Sequence, residues 1–154
     1  MSLPDFDKDE YLPPGIHAAS LAEVIERFGT NSEARGKQVA LLRQVVEAAK
    51  AYPTIKRVLV WGSFVTAKLE PGDLDFSIVI STTHWQIKIN DEHRRFFIPY
   101  EARLYYGVDR AFLVLPDYPL EPYIESLDFL CRTRTKRERG IVEINIRGEI
   151  TSKE

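Results

Sequence analysis

The sequence predicts a single α/β chain of the α+β kind, and three observations predict it. Apolar residues recur at helical spacing through the first third of the chain. Short runs rich in β-branched and aromatic residues follow, and one of them alternates apolar with polar. The 154 residues, 44% apolar and 29% charged, suit one hydrophobic core with an ordinary polar surface.

Residues 1–19 carry Pro4, Pro13, Pro14 and Gly15 among the acids Asp5, Asp7, Asp9 and Glu10, which reads as an extended N-terminal arm. Ser20 and Glu23 have capping-box spacing, and Leu21, Val24, Ile25 and Phe28 follow as one helical face until Gly29. Asn31 or Ser32 caps a second, longer helix. Its apolar face is Val39, Leu42, Val45, Val46 and Ala49, with Arg35, Lys37, Arg43 and Lys50 assigned to the polar side, and it is expected to end near Tyr52, before Pro53. Residues 58–61, Val-Leu-Val-Trp, read as a buried strand running into a turn at Gly62-Ser63. Over residues 74–80 Leu74, Phe76, Ile78 and Ile80 alternate with Asp75, Ser77 and Val79, the period of a strand. A helix over 91–105, broken or kinked at Pro99, a strand over 108–115, a short helix over 123–130 and a strand over 141–146 complete the prediction.

Charge and cysteine content exclude several functions. The 21 Lys and Arg against 23 Asp and Glu give a net charge of −2, so no duplex-DNA partner is expected, since such binders neutralise phosphates with excess positive charge. The lone Cys131 forms no intrachain disulfide, and its spacing from the three histidines fits no zinc site. No apolar run approaches the roughly 18–20 residues of a membrane span, and the first residues lack a signal layout, so no membrane partner and a cytoplasmic location are expected.

The chemistry is concentrated between residues 61 and 76. Gly62 permits close approach of backbone to a ligand, and Ser63 adds a hydroxyl beside N–H groups at the end of a buried strand, a combination suited to phosphate. Asp73 and Asp75, two apart on a strand, place both carboxylates on one face, where they can converge on a hard cation such as Mg2+. A nucleoside triphosphate needs both devices, because two ions about 3.5–4 Å apart serve the attacking and leaving oxygens of phosphoryl transfer. A third carboxylate normally completes such a site. Asp109 is the best candidate, at the head of an apolar strand able to lie beside the Asp75 strand; read alone it is almost as readily a surface turn acid.

Gly62-Ser63, nine intervening residues and Asp73-Leu74-Asp75 resemble the signature of the nucleotidyltransferase superfamily to which DNA polymerase beta belongs, especially its minimal, single-domain members. More narrowly, Leu12-Pro13-Pro14-Gly15-Ile16-His17, the run from Gly62 to Thr66 with Lys68, Pro71 with Asp73 and Asp75, and Arg139-Gly140-Ile141-Val142 resemble a family of small bacterial nucleotidyltransferase-like proteins. The resemblance implies a minimal core over residues 20–150, built as a mixed β-sheet with flanking helices. It implies transfer of a nucleoside monophosphate from NTP to a hydroxyl on an RNA, an antibiotic or a protein, dependent on Mg2+ or Mn2+. Gly62 and Ser63 would contact the triphosphate, and Asp73, Asp75 and Asp109 would be the catalytic and metal-binding acids. Thr66 and Lys68 match only the narrower pattern and are assigned to nucleotide binding, Lys68 through phosphate. Minimal superfamily members also occur as antitoxins, so a protein partner such as a toxin is expected alongside an RNA acceptor, and a non-catalytic antitoxin or regulatory partner is the alternative.

Other features read more plainly. The bases Arg132, Arg134, Lys136, Arg137 and Arg139 suit a solvated hairpin loop, with a polyanion contact as the alternative. His17, His84 and His93 are too dispersed to argue for a cluster and read as structural or exposed, Phe96-Phe97 and Tyr105-Tyr106 as core or groove packing, and Cys131 as a small buried apolar residue.

Overall fold

A computed structural model describes residues 3–72, 74–98, 112–115, 131 and 138–146. Its centre is a mixed five-stranded sheet made of β1 (Gly15–Ala19), β2 (Ile55–Trp61), β3 (Asp75–Ser81), β4 (Phe112–Leu115) and β5 (Gly140–Ile144), in the order β1-β5-β2-β3-β4. β2 runs antiparallel to both β3 and β5, whereas β1 pairs with β5, and β4 with β3, in parallel. This is the mixed α+β architecture expected from the sequence.

Two helices cover one face. α1 (Leu21–Phe28) begins at the expected capping box: the Glu23 N–H donates to Ser20 Oγ and the Ser20 N–H to Glu23 Oε1, both at 3.1 Å. The Gly29 N–H then donates to Ile25 O at 2.8 Å and closes the helix. α2 (Glu33–Ala49) takes Ser32, not Asn31, as its cap, through Arg35 N–H to Ser32 Oγ at 3.2 Å. Val24, Phe28, Val39, Leu42, Val45, Val46 and Ala49 pack with Val58, Val60, Phe76, Ile78, Ile80, Val142 and Ile144 in a single buried cluster. α2 stops at Ala49, three residues short of Tyr52. Tyr52 is itself core, with Tyr52 Oη receiving the Asn90 N–H at 3.0 Å.

The segment expected as an extended arm is part of the sheet. Leu12 is fully buried, and residues 15–19 form β1 in register with β5, Gly15 opposite Gly140 and Ala19 opposite Ile144. The Gly140 N–H donates to Leu12 O at 3.0 Å. A Cβ at Gly140 would collide with Pro13 O, Leu12 Cβ and His17 Cδ2, so only glycine lets the two segments meet. His17 Nε2 fastens the same corner by donating to Pro13 O at 2.7 Å.

The remaining elements depart from the sequence reading in length. β2 starts at Ile55, earlier than residue 58, and β3 is displaced by one residue to 75–81. The helix expected over 91–105 is a 3-10 turn, Asp91–His93, followed by one helical turn, α3 (Arg94–Phe97). Ile98 is already extended, as the residue before a proline tends to be. Residues 99–105, the first part of the strand over 108–115 and the helix over 123–130 lie outside the described residues. Phe112–Leu115 does form a strand beside β3, pairing Ile78 with Phe112 and Ser81 with Leu115. Among the described residues no helix is long and apolar enough to cross a membrane.

Candidate functional site

The face of the sheet opposite the helices carries Leu59, Ser77, Val79 and Ile141, all buried, and ends at three half-buried side chains, Trp61, Asp75 and Arg139. Their meeting follows from strand register. Trp61, the last residue of β2, sits opposite Asp75, the first of β3. The chain then turns at once through Gly62–Val65, a single 3-10 turn.

Gly62 is the hinge of this arrangement. Its φ is +80°, a conformation that L side chains rarely adopt, and a Cβ there would overlap the Asp75 Oδ2. The glycine of one motif therefore lies directly against the carboxylate of the other. Ser63 is half-buried, and its carbonyl accepts from the Thr66 N–H at 3.2 Å and the Thr66 hydroxyl at 2.7 Å. Thr66 Oγ1 in turn receives the Lys68 N–H at 3.1 Å, so the threonine hydroxyl closes the turn from within. The Lys68 side chain is exposed. Asp73 and Asp109 lie outside the described residues, so of the seven residues singled out the structure brings Gly62, Ser63 and Asp75 together, with Thr66 in the same turn and Lys68 at its outer end.

Three residues that sequence reasoning passed over complete the site's surroundings. Arg35, assigned to the polar side of α2, is only 4% exposed. Its guanidinium donates to Phe28 O at 2.9 Å, Phe64 O and Thr66 O at 2.8 Å, and Lys68 O through both Nε and Nη2. Gln38, one turn on, donates to Pro71 O at 2.8 Å. α2 thus holds four carbonyls of the segment from Phe64 to Pro71. Burial pulls the Arg35 guanidinium below its ordinary pKa, and these carbonyls replace the water it loses. The signal was present: Arg35, Val39, Leu42, Val46 and Ala49 share one helical phase, so Arg35 points where the apolar face points.

Arg139 is the second. Read as part of a solvated basic loop, it is half-buried, with its guanidinium carbon 5.7 Å from the centre of the Trp61 ring. Burial lowers its pKa, while Asp75, Tyr11 and Cys131 act in the opposite direction, which puts Arg139 in the electric field of the site carboxylate. Tyr11, the third, is brought in by the N-terminal segment. Asp7 Oδ1 accepts from the N–H groups of Asp9 and Tyr11 at 2.8 and 3.1 Å, and Tyr11 bridges to Thr66. The basic stretch 132–137 lies outside the described residues. Cys131 is half-buried rather than buried, and its carbonyl receives the Arg139 N–H at 2.7 Å.

The histidines are structural. His84 is buried between Thr54 Oγ1 at 2.8 Å and Phe97 O at 3.1 Å, and His93 Nδ1 lies 2.6 Å from the Tyr52 hydroxyl. Phe96 and Phe97 are core.

Fold and site together define an α+β protein with a carboxylate, an arginine and a glycine-serine turn gathered at one end of a mixed sheet. The chain matches a family of unknown function, DUF6932, over residues 4–145, and belongs to it. No curated protein and no solved structure matches the chain.

Proposed function

We propose that the protein is a metal-dependent nucleotidyltransferase that moves a nucleoside monophosphate from NTP to a hydroxyl on a protein or RNA acceptor. The observation that carries this reading is the contact of Gly62 with Asp75, which unites the glycine-serine turn and the acidic strand at one point. A hard cation takes carboxylate oxygens, and Asp75 is a donor of that kind. Asp75 and, two residues before it, Asp73 would hold Mg2+ or Mn2+, which supplies charge neutralisation for the triphosphate and the leaving group. Asp109 as third acid rests on the sequence, where it precedes the apolar run that forms β4 beside β3.

In the reaction the acceptor oxygen attacks the α-phosphorus, forming a P–O bond, while the bond from that phosphorus to the bridging oxygen of the β-phosphate breaks and pyrophosphate leaves. Asp109 takes the hydroxyl proton. Gly62 and Ser63 hold the phosphates, Thr66 keeps the turn closed, and Lys68 adds positive charge at its outer end. Catalysis rests on positioning and electrostatics.

The experiment is incubation of the protein with each labelled NTP, Mg2+ or Mn2+, and cell extract, following label into protein or RNA. Transfer by the wild type that is lost in Asp75→Asn is the expected result. A wild type that neither binds nor transfers any nucleotide would overturn the reading. One observation favours a second reading, a non-catalytic antitoxin or regulatory partner: Arg139 already supplies a counter-charge to Asp75 without metal. In that case Asp73→Asn/Asp75→Asn would retain full partner neutralisation.

A further inference from the structure

Two segments more than a hundred residues apart meet at the candidate site. The Leu12–His17 stretch pairs with the strand that follows Arg139, and Tyr11, just before it, bridges to Thr66 in the glycine-serine turn. Arg139 is thereby fixed at both sides. Its N–H is held by Cys131 O at 2.7 Å, and Gly140, the next residue, is locked against Leu12 and Pro13. The guanidinium then lies over Trp61, whose own Nε1–H donates to Ser77 Oγ at 3.0 Å, so the ring beneath it is also held. From Trp61 the chain passes directly into Gly62 and Ser63.

We propose that Arg139 is a polyphosphate-binding residue of this site, contacting the phosphate chain of a nucleoside triphosphate while metal engages the carboxylates. The inference rests on the nucleotidyltransferase reading and adds to it a residue outside the glycine-serine and acidic motifs. The charge count asks for such a residue: three acids with two divalent ions leave about one positive charge, against the roughly four negative charges of a triphosphate. An arginine is suited to phosphate because its planar fork donates two N–H groups to paired oxygens. Holding the guanidinium over an aromatic ring removes rotamer freedom before the ligand arrives, so less is lost on binding.

The test is equilibrium binding of Mg2+·ATP, the other three NTPs, adenosine and inorganic tripolyphosphate to the full chain at fixed Mg2+, for wild type and Arg139→Met. About a tenfold or greater loss for the triphosphates and tripolyphosphate is expected, with adenosine affinity changed less than about twofold. Equal affinity of both proteins for the triphosphates would overturn the assignment of Arg139 and leave the nucleotidyltransferase reading standing. If the wild type binds tripolyphosphate through Arg139 but binds no nucleotide, the nucleotidyltransferase reading fails and the anion site survives. Binding of neither ligand overturns both. Should Arg139→Met fail to fold, Trp61 emission is followed instead in Trp85→Phe. Tripolyphosphate is expected to change it and adenosine to leave it unchanged, and silence toward tripolyphosphate overturns the proposal.

Discussion

Two arginines flank the glycine-serine turn, and they differ in what surrounds them. On the helix side Arg35 is almost fully buried and its donors go to the carbonyls of Phe28, Phe64, Thr66 and Lys68. On the sheet side Arg139 is half-buried, lies over an aromatic ring and stands in the field of Asp75. A guanidinium committed to backbone carbonyls holds a loop in shape. One set half-buried beside a ring face and in the field of an acid is, on the proposed reading, placed for a ligand. The turn is therefore fastened from the helix side.

That contrast is broken most directly by removing the fastening. Arg35→Ala leaves four carbonyls without a donor, so a loss of at least about 3 kcal/mol is expected in chemical denaturation. Arg35→Lys should recover part of it, because an ammonium offers three donors at a single point instead of a planar fork. A loss below about 1 kcal/mol for Arg35→Ala would mean that the carbonyls are satisfied by water and that the back of the turn is not fastened there. Next in size is Gly62→Ala, expected to cost about 1–3 kcal/mol, because the new side chain meets both a positive φ and the Asp75 carboxylate. Here nucleotide binding should fall together with stability. Gly36→Ala makes the control. Nothing lies within 4 Å of a Cβ at Gly36 and its backbone is helical, so a small gain is expected in the same denaturation assay.

How much of this was legible in the sequence depends on where each residue's partners lie. The capping box of Ser20 and Glu23, the apolar stripe of α2 and the alternation of β3 are local patterns, and each sits within a few residues of its expected place. The pairing of β4 with β3 agrees with the expectation that the apolar run ending before Pro116 could lie beside the Asp75 strand. β1 was missed because Gly15-Ile16-His17-Ala18-Ala19 does not alternate cleanly, and what makes it a strand is Gly140–Ile144, more than a hundred residues away. Arg35 was misplaced because its charge outweighed its helical phase. Arg139 sits in a run of bases, and nothing nearby in sequence shows that it lies over Trp61 in the field of Asp75. The short-range half of the site, Gly62 and Asp75, was readable as a motif; the long-range half needed the sheet.

The smallest expected effect is the most discriminating. Asp75→Asn keeps the size and shape of the side chain and removes its charge. If Arg139 serves the fold as Arg35 does, its charge leans on Asp75, and losing the carboxylate removes the leading favourable charge interaction of a half-buried cation. A double-mutant cycle of Asp75→Asn with Arg139→Met, read as unfolding free energy without ligand, would then show a coupling of about 3 kcal/mol or more. If the pair is arranged for a ligand, solvent and long-range attraction share the work, and the coupling should fall near 0.5–1 kcal/mol, as for partly exposed ion pairs. The same cycle read as Mg2+·ATP affinity should then show the larger coupling, since the carboxylate, through metal, and the guanidinium would hold one phosphate chain from opposite sides. A large coupling in stability with none in binding would move Arg139 into the class of Arg35 and leave the acids alone to carry the site.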